Sequence, residues 1–207
     1  MTHQTDIPRK SIYRLSIYQR CLERLKDNGL ETVSSSALAK AAGVKPTQLR
    51  KDLAYFGQFG TRGLGYNVDA LNEVITGVLG TNSLQPVILV GVGNLGAALS
   101  RYNGFGKEGF EISAAFESDA ERREKVTAGV PVLPAETMAD YIREHRVKMA
   151  ILAVPVEAAQ AVANQLVAAG VQAILNFSPT VLNVPERVIV NSVDLALELE
   201  HLSYFVK

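Results

Sequence analysis

The sequence predicts an α/β protein in which a basic helical region precedes a parallel β-sheet. Residues 1–79 carry helical patterns and hold 11 Lys and Arg against 7 Asp and Glu, a net charge of +4, whereas the 207-residue chain is neutral. After a polar break at 80–83, apolar runs at 87–90, 112–116, 149–154 and 173–177 alternate with helical patterns at 94–102, 135–146 and 156–169. Short apolar strands separated by helices are typical of βαβ units, whose strands are parallel. We therefore predict three parts, residues 1–79, 80–190 and 191–207.

The composition excludes several classes of protein. No apolar run reaches the ~20 residues of a membrane helix, and the opening MTHQTDIPRK lacks the apolar stretch of a secretory signal. Cys21 is the single cysteine, so no internal disulfide can form, and a free thiol fits the reducing cytoplasm. Because Cys21 lies in an apolar-periodic segment, we expect it in a core and not in a redox site. We predict a cytoplasmic protein without a membrane span or a metal site.

The first region begins with two predicted helices of different length. Apolar residues recur at helical spacing over 11–28, and the pattern stops at Asn28 and Gly29. A shorter helix is predicted over 37–42. Ser35 or Ser36 is expected to cap it, because a serine oxygen can accept N–H bonds of the first helical turn.

A tight turn is predicted to join this short helix to a third one. Gly43 suits the turn, because a glycine enters it without the steric penalty of other residues. Pro46 suits the first turn of a helix over about 47–56, where its missing N–H is not needed. Small Ala39, Gly43 and apolar Leu49 have the spacing that a helix-turn-helix needs for its turn and its core contacts.

The helix over 47–56 carries side chains that can reach base edges and phosphates in a major groove. These candidate DNA-binding residues are Lys45, Thr47, Gln48, Arg50 and Lys51. A helical hairpin with a solvated charged face would show the same residues, so the next segment decides between the two interpretations. Residues 57–66 are punctuated by glycine with Arg62 near the centre, which is typical of a β-hairpin wing; Arg62 would then reach phosphate or a minor groove. The alternative, a phosphate-binding loop, requires a strand before it, and this segment follows a helix. We predict a winged helix-turn-helix that binds double-stranded DNA.

A glycine-rich motif follows the first strand of the second region. Residues 91–96, GVGNLG, come directly after the apolar run 87–90 and open the helix at Asn94 and Leu95. In a dinucleotide site Gly91 would make the tight turn, Gly93 would let the pyrophosphate approach the backbone, and Gly96 would let helix and strand pack closely. The start of the helix would offer N–H groups and a positive dipole end to the phosphates. The motif in this context predicts a Rossmann domain that binds a dinucleotide; a Rossmann fold without a nucleotide is the alternative.

Acidic residues follow the second strand of this domain. Glu117 and Asp119 stand about 20 positions beyond the glycines, where a carboxylate binds the adenine ribose of NAD. Glu117 is the first candidate and Asp119 the second. A carboxylate there would repel a 2′-phosphate, so NAD is favoured over NADP, although Arg122 and Arg123 lie close by.

The sequence favours binding without turnover. A dehydrogenase needs a proton donor or acceptor beside the nicotinamide. His3, His145 and His201 are poorly placed for this, and Tyr102 has glycine instead of a partner lysine four residues on. We therefore expect no catalytic residue; an NAD-dependent oxidoreductase and a helix-turn-helix protein that senses another nucleotide remain the alternative functions.

The last segment, residues 192–206, is predicted to be a helix that is apolar on more than one face. Such a helix is usually buried between two surfaces. We predict a homodimer in which this helix packs into the partner subunit; docking within its own subunit is the alternative.

The chain as a whole resembles the Rex family of redox-sensing repressors. The resemblance rests on QLRKDLAYFG at 48–57, RGLGY at 62–66, GVGNLGAAL at 91–99, AAF at 114–116, NFSP at 176–179 and LSY at 202–204. It implies a homodimer with swapped C-terminal helices whose winged helices bind an inverted-repeat operator. It also implies that NADH releases the DNA, while NAD⁺ competes with NADH and permits DNA binding.

The resemblance assigns roles to individual residues. Tyr102 would lie by the nicotinamide, Asp194 would come from the swapped helix of the partner, and Arg20 on the first helix would exchange partners in the switch. Phe177 and Leu195 could form an apolar pocket that favours the neutral ring of NADH over the cationic ring of NAD⁺. Glu117 departs from the family pattern, which usually has Asp at this position.

Overall fold

The computed structural model describes residues 7–61, 63–126 and 128–206, which fall into two compact units. The first unit extends to Ser83 and the second begins at Leu84. The observed boundary lies a few residues after the predicted one at 79/80, at the end of the polar break. The three-part division predicted from sequence, with residues 191–207 as a segment of their own, stays a prediction.

The first unit is helical with one small sheet. Its elements are α1 Arg9–Asp27, β1 Thr32–Val33, α2 Ser35–Ala41, α3 Pro46–Ala54, β2 Tyr66–Asn67 and α4 Val68–Leu79. Leu15, Leu22, Leu38, Leu49 and Leu71 pack together in its core, which also takes up Cys21. α2 and α3 are joined by a turn in which Gly43 has a φ of 68°. The helix-turn-helix predicted from spacing is therefore present.

One local prediction in this unit is corrected. The cap of α2 is Ser34, whose Oγ accepts a hydrogen bond from the N–H of Ala37 at 3.1 Å, and not Ser35 or Ser36, which lie inside the helix. The segment predicted as a β-hairpin wing contains, among its described residues, an isolated antiparallel bridge between Thr61 and Gly65.

The strand that ends this segment pairs elsewhere. β2 is antiparallel to β1, with Val33 opposite Tyr66. The wing is therefore anchored on β1, before the helix-turn-helix.

In the described part of the second unit, six strands form one parallel sheet in the order β5-β4-β3-β6-β7-β8. The strands are β3 Gln85–Val90, β4 Phe110–Glu117, β5 Val132–Pro134, β6 Met149–Leu152, β7 Ala173–Asn176 and β8 Ile189–Ser192. The order runs outward from β3 in both directions, as in a Rossmann fold, so a crevice opens at the carboxyl ends of β3 and β6. Four of these strands match the predicted apolar runs, whereas β5 and β8 were not predicted.

Helices connect the strands and cover the sheet. They are α5 Asn94–Ser100, α6 Gly104–Lys107, α7 Ala120–Lys125, α8 Met138–Glu144, α9 Val156–Ala169 and α10 Leu195–Ser203. The side chains of β3 alternate between two cores: Ile88 and Val90 pack in one, and Val87 and Leu89 in the other. Because both faces of the sheet are covered, its strands read as continuous apolar runs.

α10 is exposed in the described chain. Its first turn is capped by Asp194, whose Oδ1 accepts hydrogen bonds from the N–H groups of Ala196 and Leu197. The predicted helix over 192–206 begins later than expected, because Ser192 belongs to β8. None of the described side chains of α10 is buried. No described helix is both long and apolar enough to cross a membrane.

Candidate nucleotide and nucleic-acid sites

The three glycines of the loop after β3 differ in the space around them. Gly91 has a φ of 91°, and a Cβ added there would lie 2.5 Å from the carbonyl oxygen of Ala153 on the neighbouring strand connection. A Cβ on Gly96 would lie 2.0 Å from the carbonyl oxygen of Gly91. A Cβ on Gly93 would meet no heavy atom of the described residues within 4 Å. Gly91 and Gly96 therefore allow close backbone packing, whereas Gly93 leaves the backbone open to a ligand.

The open side of this loop faces a pocket of about 200 Å³. Its lining residues are Val92, Gly93, Asn94, Ala97, Arg122, Lys125 and Val126. Gly93 is also the N-cap of α5, and no described side chain caps that helix. The backbone of the first helical turn, with Asn94 and Leu95, thus borders the pocket. Arg122 and Lys125 of α7, which were not among the predicted site residues, line the other side of the pocket.

Glu117 lies at the end of β4 and is bonded to the glycine loop. Its Oε2 accepts the N–H of Val92 at 3.0 Å, and its Oε1 accepts the N–H of Asp119 at 3.1 Å. Burial alone would raise the pKa of Glu117, but these backbone N–H groups and the Arg122 guanidinium, 3.7 Å from Oε2, outweigh it and lower the pKa. Glu117 is therefore an ionised, buried carboxylate between the two strand ends.

Asp119 has a local role in the same region. Its Oδ1 accepts the N–H of Arg122 and caps α7, and this bond to the backbone is the main cause that lowers its pKa. On α7 itself, Lys125 forms an ion pair with Glu121, one turn earlier. Both predicted ribose-binding carboxylates, Glu117 and Asp119, thus have structural partners that the sequence did not reveal.

The residues assigned to the nicotinamide end are separate in the described chain. Tyr102 is 60% exposed, with its ring edge-on to Phe105 at 5.1 Å. Phe177 is half-buried against the core that holds Val87 and Leu89, and Asp194 caps α10. No hydrogen bond or ring contact between described residues joins Tyr102, Phe177 and Asp194 to one another.

Asn176 organises the loop that carries Phe177. Its side chain is fully buried; Nδ2 donates to the carbonyl oxygens of Ser178 and Thr180 and to Oγ of Ser192, and Oδ1 accepts the N–H of Ser178. These bonds join the carboxyl ends of β7 and β8. The sequence indicated Asn176 as a family match and gave it no role.

Most of the candidate DNA-binding side chains lie on α3 or at its N-cap, Lys45. Lys45, Thr47, Arg50 and Lys51 are exposed, and Arg50 Nη1 donates to Oγ of Ser35 at 3.1 Å. Gln48 is half-buried, and its Nε2 donates to Asp52 at 2.9 Å. Arg62 lies outside the described residues. Arg20, on α1, is exposed.

The histidines and carboxylates of the described chain do not cluster as metal ligands. Across residues 7–61, 63–126 and 128–206, no group of three His, Cys, Asp or Glu side chains is placed to hold a metal ion. His145 stacks on Tyr141 at 3.9 Å, and His201 contacts Phe205 edge-on at 5.4 Å.

The fold and the two sites define a class of protein: a regulator that joins a helix-turn-helix unit to a Rossmann-type nucleotide unit. A family model described as "Putative DNA-binding protein N-terminus" matches residues 6–54, and one described as "CoA binding domain" matches residues 82–180. The redox-sensing transcriptional repressor Rex of Pelotomaculum thermopropionicum is 49% identical over 198 residues, 96% of this chain and 93% of that protein. The Rex protein of Carboxydothermus hydrogenoformans is 49% identical over 201 residues, 97% of both chains. The chain belongs to the Rex family of redox-sensing transcriptional repressors.

Solved structures agree with this assignment. The crystal structure of RSP in complex with β-NAD⁺ and operator DNA has a TM-score of 0.90 and 38% identity, and the match covers 98% of this chain and 94% of that one. The complex of RSP with β-NADH has a TM-score of 0.85 and 36% identity, with 98% and 95% covered. The predicted fold class and family are confirmed, and the repressor names of the relatives favour a regulator over the oxidoreductase alternative.

Proposed function

We propose that this chain is a DNA-binding transcriptional repressor that senses the ratio of NADH to NAD⁺. As a homodimer it binds an inverted-repeat operator when it is empty or holds NAD⁺, and it releases the operator when it holds NADH. The observation that carries the proposal is the glycine loop, in which Gly93 opens to a pocket while Gly91 and Gly96 hold the backbone together. The relatives solved with NAD⁺, NADH and operator DNA support it.

The residues at the ends of β3 and β4 fit the adenosine diphosphate part of NAD(H). Gly93 gives the pyrophosphate access to the backbone, and Asn94, Leu95 and Gly96 supply the first turn of α5, where N–H groups and the helix dipole favour phosphate. Glu117, with Asp119 as the second candidate, would accept the ribose hydroxyls. An ionised carboxylate at this place disfavours a 2′-phosphate, so the proposed ligand is NAD(H) and not NADP(H).

The other end of the nucleotide would lie by Tyr102 and Phe177. NADH and NAD⁺ differ by one positive charge on the nicotinamide ring, and an apolar wall that includes Phe177 favours the neutral ring, because burying a charge without a partner is costly. A ligand can shift two states of a protein only by its differential affinity for them. In this proposal, Arg20, Tyr102 and Asp194 form the switch, with Asp194 supplied by the partner subunit.

The proposed DNA contacts lie on α3 and the wing. Lys45, Thr47, Gln48, Arg50 and Lys51 would face the major groove, and Arg62 the phosphates or the minor groove. The exposure of Thr47, Arg50 and Lys51 on one short helix, and of Lys45 at its N-cap, supports this assignment.

The proposed dimer rests on α10 and the short 3₁₀ turn that follows it. The large apolar side chains described in this segment are each at least 59% exposed: Leu195, Leu197, Leu199, Leu202, Tyr204, Phe205 and Val206. A contiguous exposed apolar surface of this kind marks an interaction site. A second copy of the chain is the proposed partner, with residues 191–207 packed into it.

We further propose a cytoplasmic location, because a repressor must reach the DNA. Within the chain, residues 1–79 would form the DNA-binding domain and residues 80–190 the NAD(H)-binding domain.

The experiment uses the full-length protein. An operator is first selected from a random duplex DNA pool by the protein, and binding is then followed by fluorescence anisotropy at one fixed salt concentration, because phosphate contacts are salt-sensitive. NADH should release the operator at concentrations where NAD⁺ has little effect. If no duplex is enriched, or if the operator stays bound under both nucleotides, the proposal is wrong. A parallel assay of NADH oxidation tests the oxidoreductase alternative.

A further inference from the structure

A buried carboxylate joins α3 to the first helix of the same unit. Asp52 is 0% exposed and accepts hydrogen bonds from four side chains of the described chain. Arg14 binds both oxygens, with Nε 2.6 Å from Oδ2 and Nη2 2.7 Å from Oδ1. Oγ of Ser11 donates at 2.9 Å and the hydroxyl of Tyr18 at 2.7 Å. Nε2 of Gln48, one turn earlier on α3, donates at 2.9 Å.

This cluster holds a negative charge in the core of the unit. Burial alone would raise the pKa of Asp52, but the hydrogen bonds from Arg14, Tyr18, Gln48 and Ser11 outweigh it and lower the pKa to about 2. The carboxylate is therefore ionised at neutral pH and depends on its donors. Since a buried charge that loses its partner is strongly destabilising, α3 is held in the one orientation that keeps these bonds.

The hydrogen bonds to Asp52 fix the orientation of α3, which apolar packing alone does not do. Leu49 and Leu53 of α3 are buried in the same core as Leu15 and Leu22 of α1, but such packing is non-directional. Hydrogen bonds with fixed donors set the rotation of the helix about its axis and its position along that axis. A rotation of α3 would move every exposed donor on it together.

We propose that Asp52 is the positioning residue of the DNA-reading helix: it fixes α3 on α1 through Arg14 and Tyr18 and orients the Gln48 amide, so that operator is preferred over other DNA. This inference rests on the proposed function. Base-edge contacts require an aligned helix, whereas phosphate contacts tolerate small shifts because long cationic side chains adjust. Asp52 should therefore act on the discrimination between DNA sequences and much less on general DNA affinity.

The test compares Asp52→Asn with Asp69→Asn in the full-length protein. Asp69 is an exposed carboxylate of the same unit, paired with Lys26 at 2.8 Å, so both variants lose one negative charge. Affinity is measured by anisotropy for the selected operator and for an unrelated duplex of equal length, at one salt concentration. NADH affinity is measured from the fluorescence of NADH.

Asp52→Asn should lower the ratio of operator to unrelated-DNA affinity by about tenfold, the size of one lost base contact, and leave NADH affinity unchanged. Asp69→Asn should leave that ratio unchanged. Tyr18→Phe keeps the ring and removes one bond, so it should lower the ratio in the same direction by a smaller factor; it is the deciding variant if Asp52→Asn does not fold.

Other outcomes overturn the inference in recognisable ways. If both DNA affinities fall by the same factor, Asp52 only maintains the folded fraction. An unchanged ratio in Tyr18→Phe and Asp52→Asn shows that the cluster does not align α3 for DNA. If the wild-type protein selects no operator, the proposed function itself fails, and the inference fails with it.

Discussion

Replacing Gly93 or Gly96 by alanine is expected to affect nucleotide binding and stability differently, because the two glycines differ in the space around them. Gly93 has a φ of −67°, which any residue adopts, and its added Cβ enters open space. Gly93→Ala should therefore change the free energy of unfolding by less than about 0.5 kcal/mol. The methyl group would occupy the space through which a pyrophosphate approaches the backbone. Overpacking of this kind costs about 1–3 kcal/mol, which weakens NADH binding by about 5- to 150-fold.

Gly96→Ala should affect both properties. Its Cβ would lie 2.0 Å from the carbonyl oxygen of Gly91, whereas real Cβ contacts essentially never fall under 3.0 Å. Helix α5 and the loop must then separate by about 1 Å, with a loss of about 1–3 kcal/mol in stability. The displaced loop should also bind NADH more weakly.

The assays are urea denaturation and titration with NADH, followed by its fluorescence. Gly77→Ala is the matched control: it lies inside α4, its Cβ meets no described heavy atom within 4 Å, and helix propensity should add about 0.5–1 kcal/mol of stability. NADH binding of wild-type strength by Gly93→Ala would refute the role of this glycine as the pyrophosphate approach. Wild-type stability of Gly96→Ala would refute the close packing.

Three further changes test other parts of the structure. The pKa of Asp52 falls from 3.8 to about 2 on folding, so the ionised carboxylate contributes about 2 kcal/mol to the free energy of unfolding. This contribution is present above pH 3.8 and is lost as the pH falls through 2. Acid unfolding followed by circular dichroism should show the loss in the wild type and not in Asp52→Asn. Leu202→Asp should shift the sedimentation coefficient towards the monomer, because it places a charge in the exposed apolar segment proposed as the dimer interface; an unchanged value would contradict the interface. Asn176→Ala should lower stability by about 2 kcal/mol in thermal unfolding, since it leaves buried groups unpaired, whereas Asn164→Ala on the exposed face of α9 should change it little.

The best-predicted part of the chain is the strand, loop and helix around the glycines. β3 is covered on both faces, so its sequence is a continuous apolar run, and each glycine of the motif meets a different geometric demand. The contact of Gly91 with Ala153 involves a distant strand end, but the positive φ of Gly91 and the close approach of Gly96 to Gly91 are demands that act within a few residues. They are therefore visible in the sequence.

Features set by distant residues were not predictable in the same way. Ser34, Ser35 and Ser36 have equal capping ability, and Ser34 is the cap because it directly follows β1 and has an extended backbone. β1 forms only by pairing with β2, more than 30 positions later. Asp52 stands next to Lys51 on a polar helix and reads as a solvated charge; its burial depends on Arg14 and Tyr18, 38 and 34 residues away.

In the proposed function, Glu117 satisfies both a local and a ligand-binding requirement. Its two oxygens accept one backbone N–H each, from Val92 and Asp119, and Oε1 also accepts the Ser118 hydroxyl at 3.4 Å, while an ionised carboxylate offers about four acceptor sites. The bond to Val92 holds the end of β4 against the glycine loop before any nucleotide arrives, and the remaining sites can accept ribose hydroxyls. Arg122, 3.7 Å away, offsets part of the carboxylate charge. The proposed preference against a 2′-phosphate therefore depends on the balance between Glu117 and Arg122 and not on the carboxylate alone.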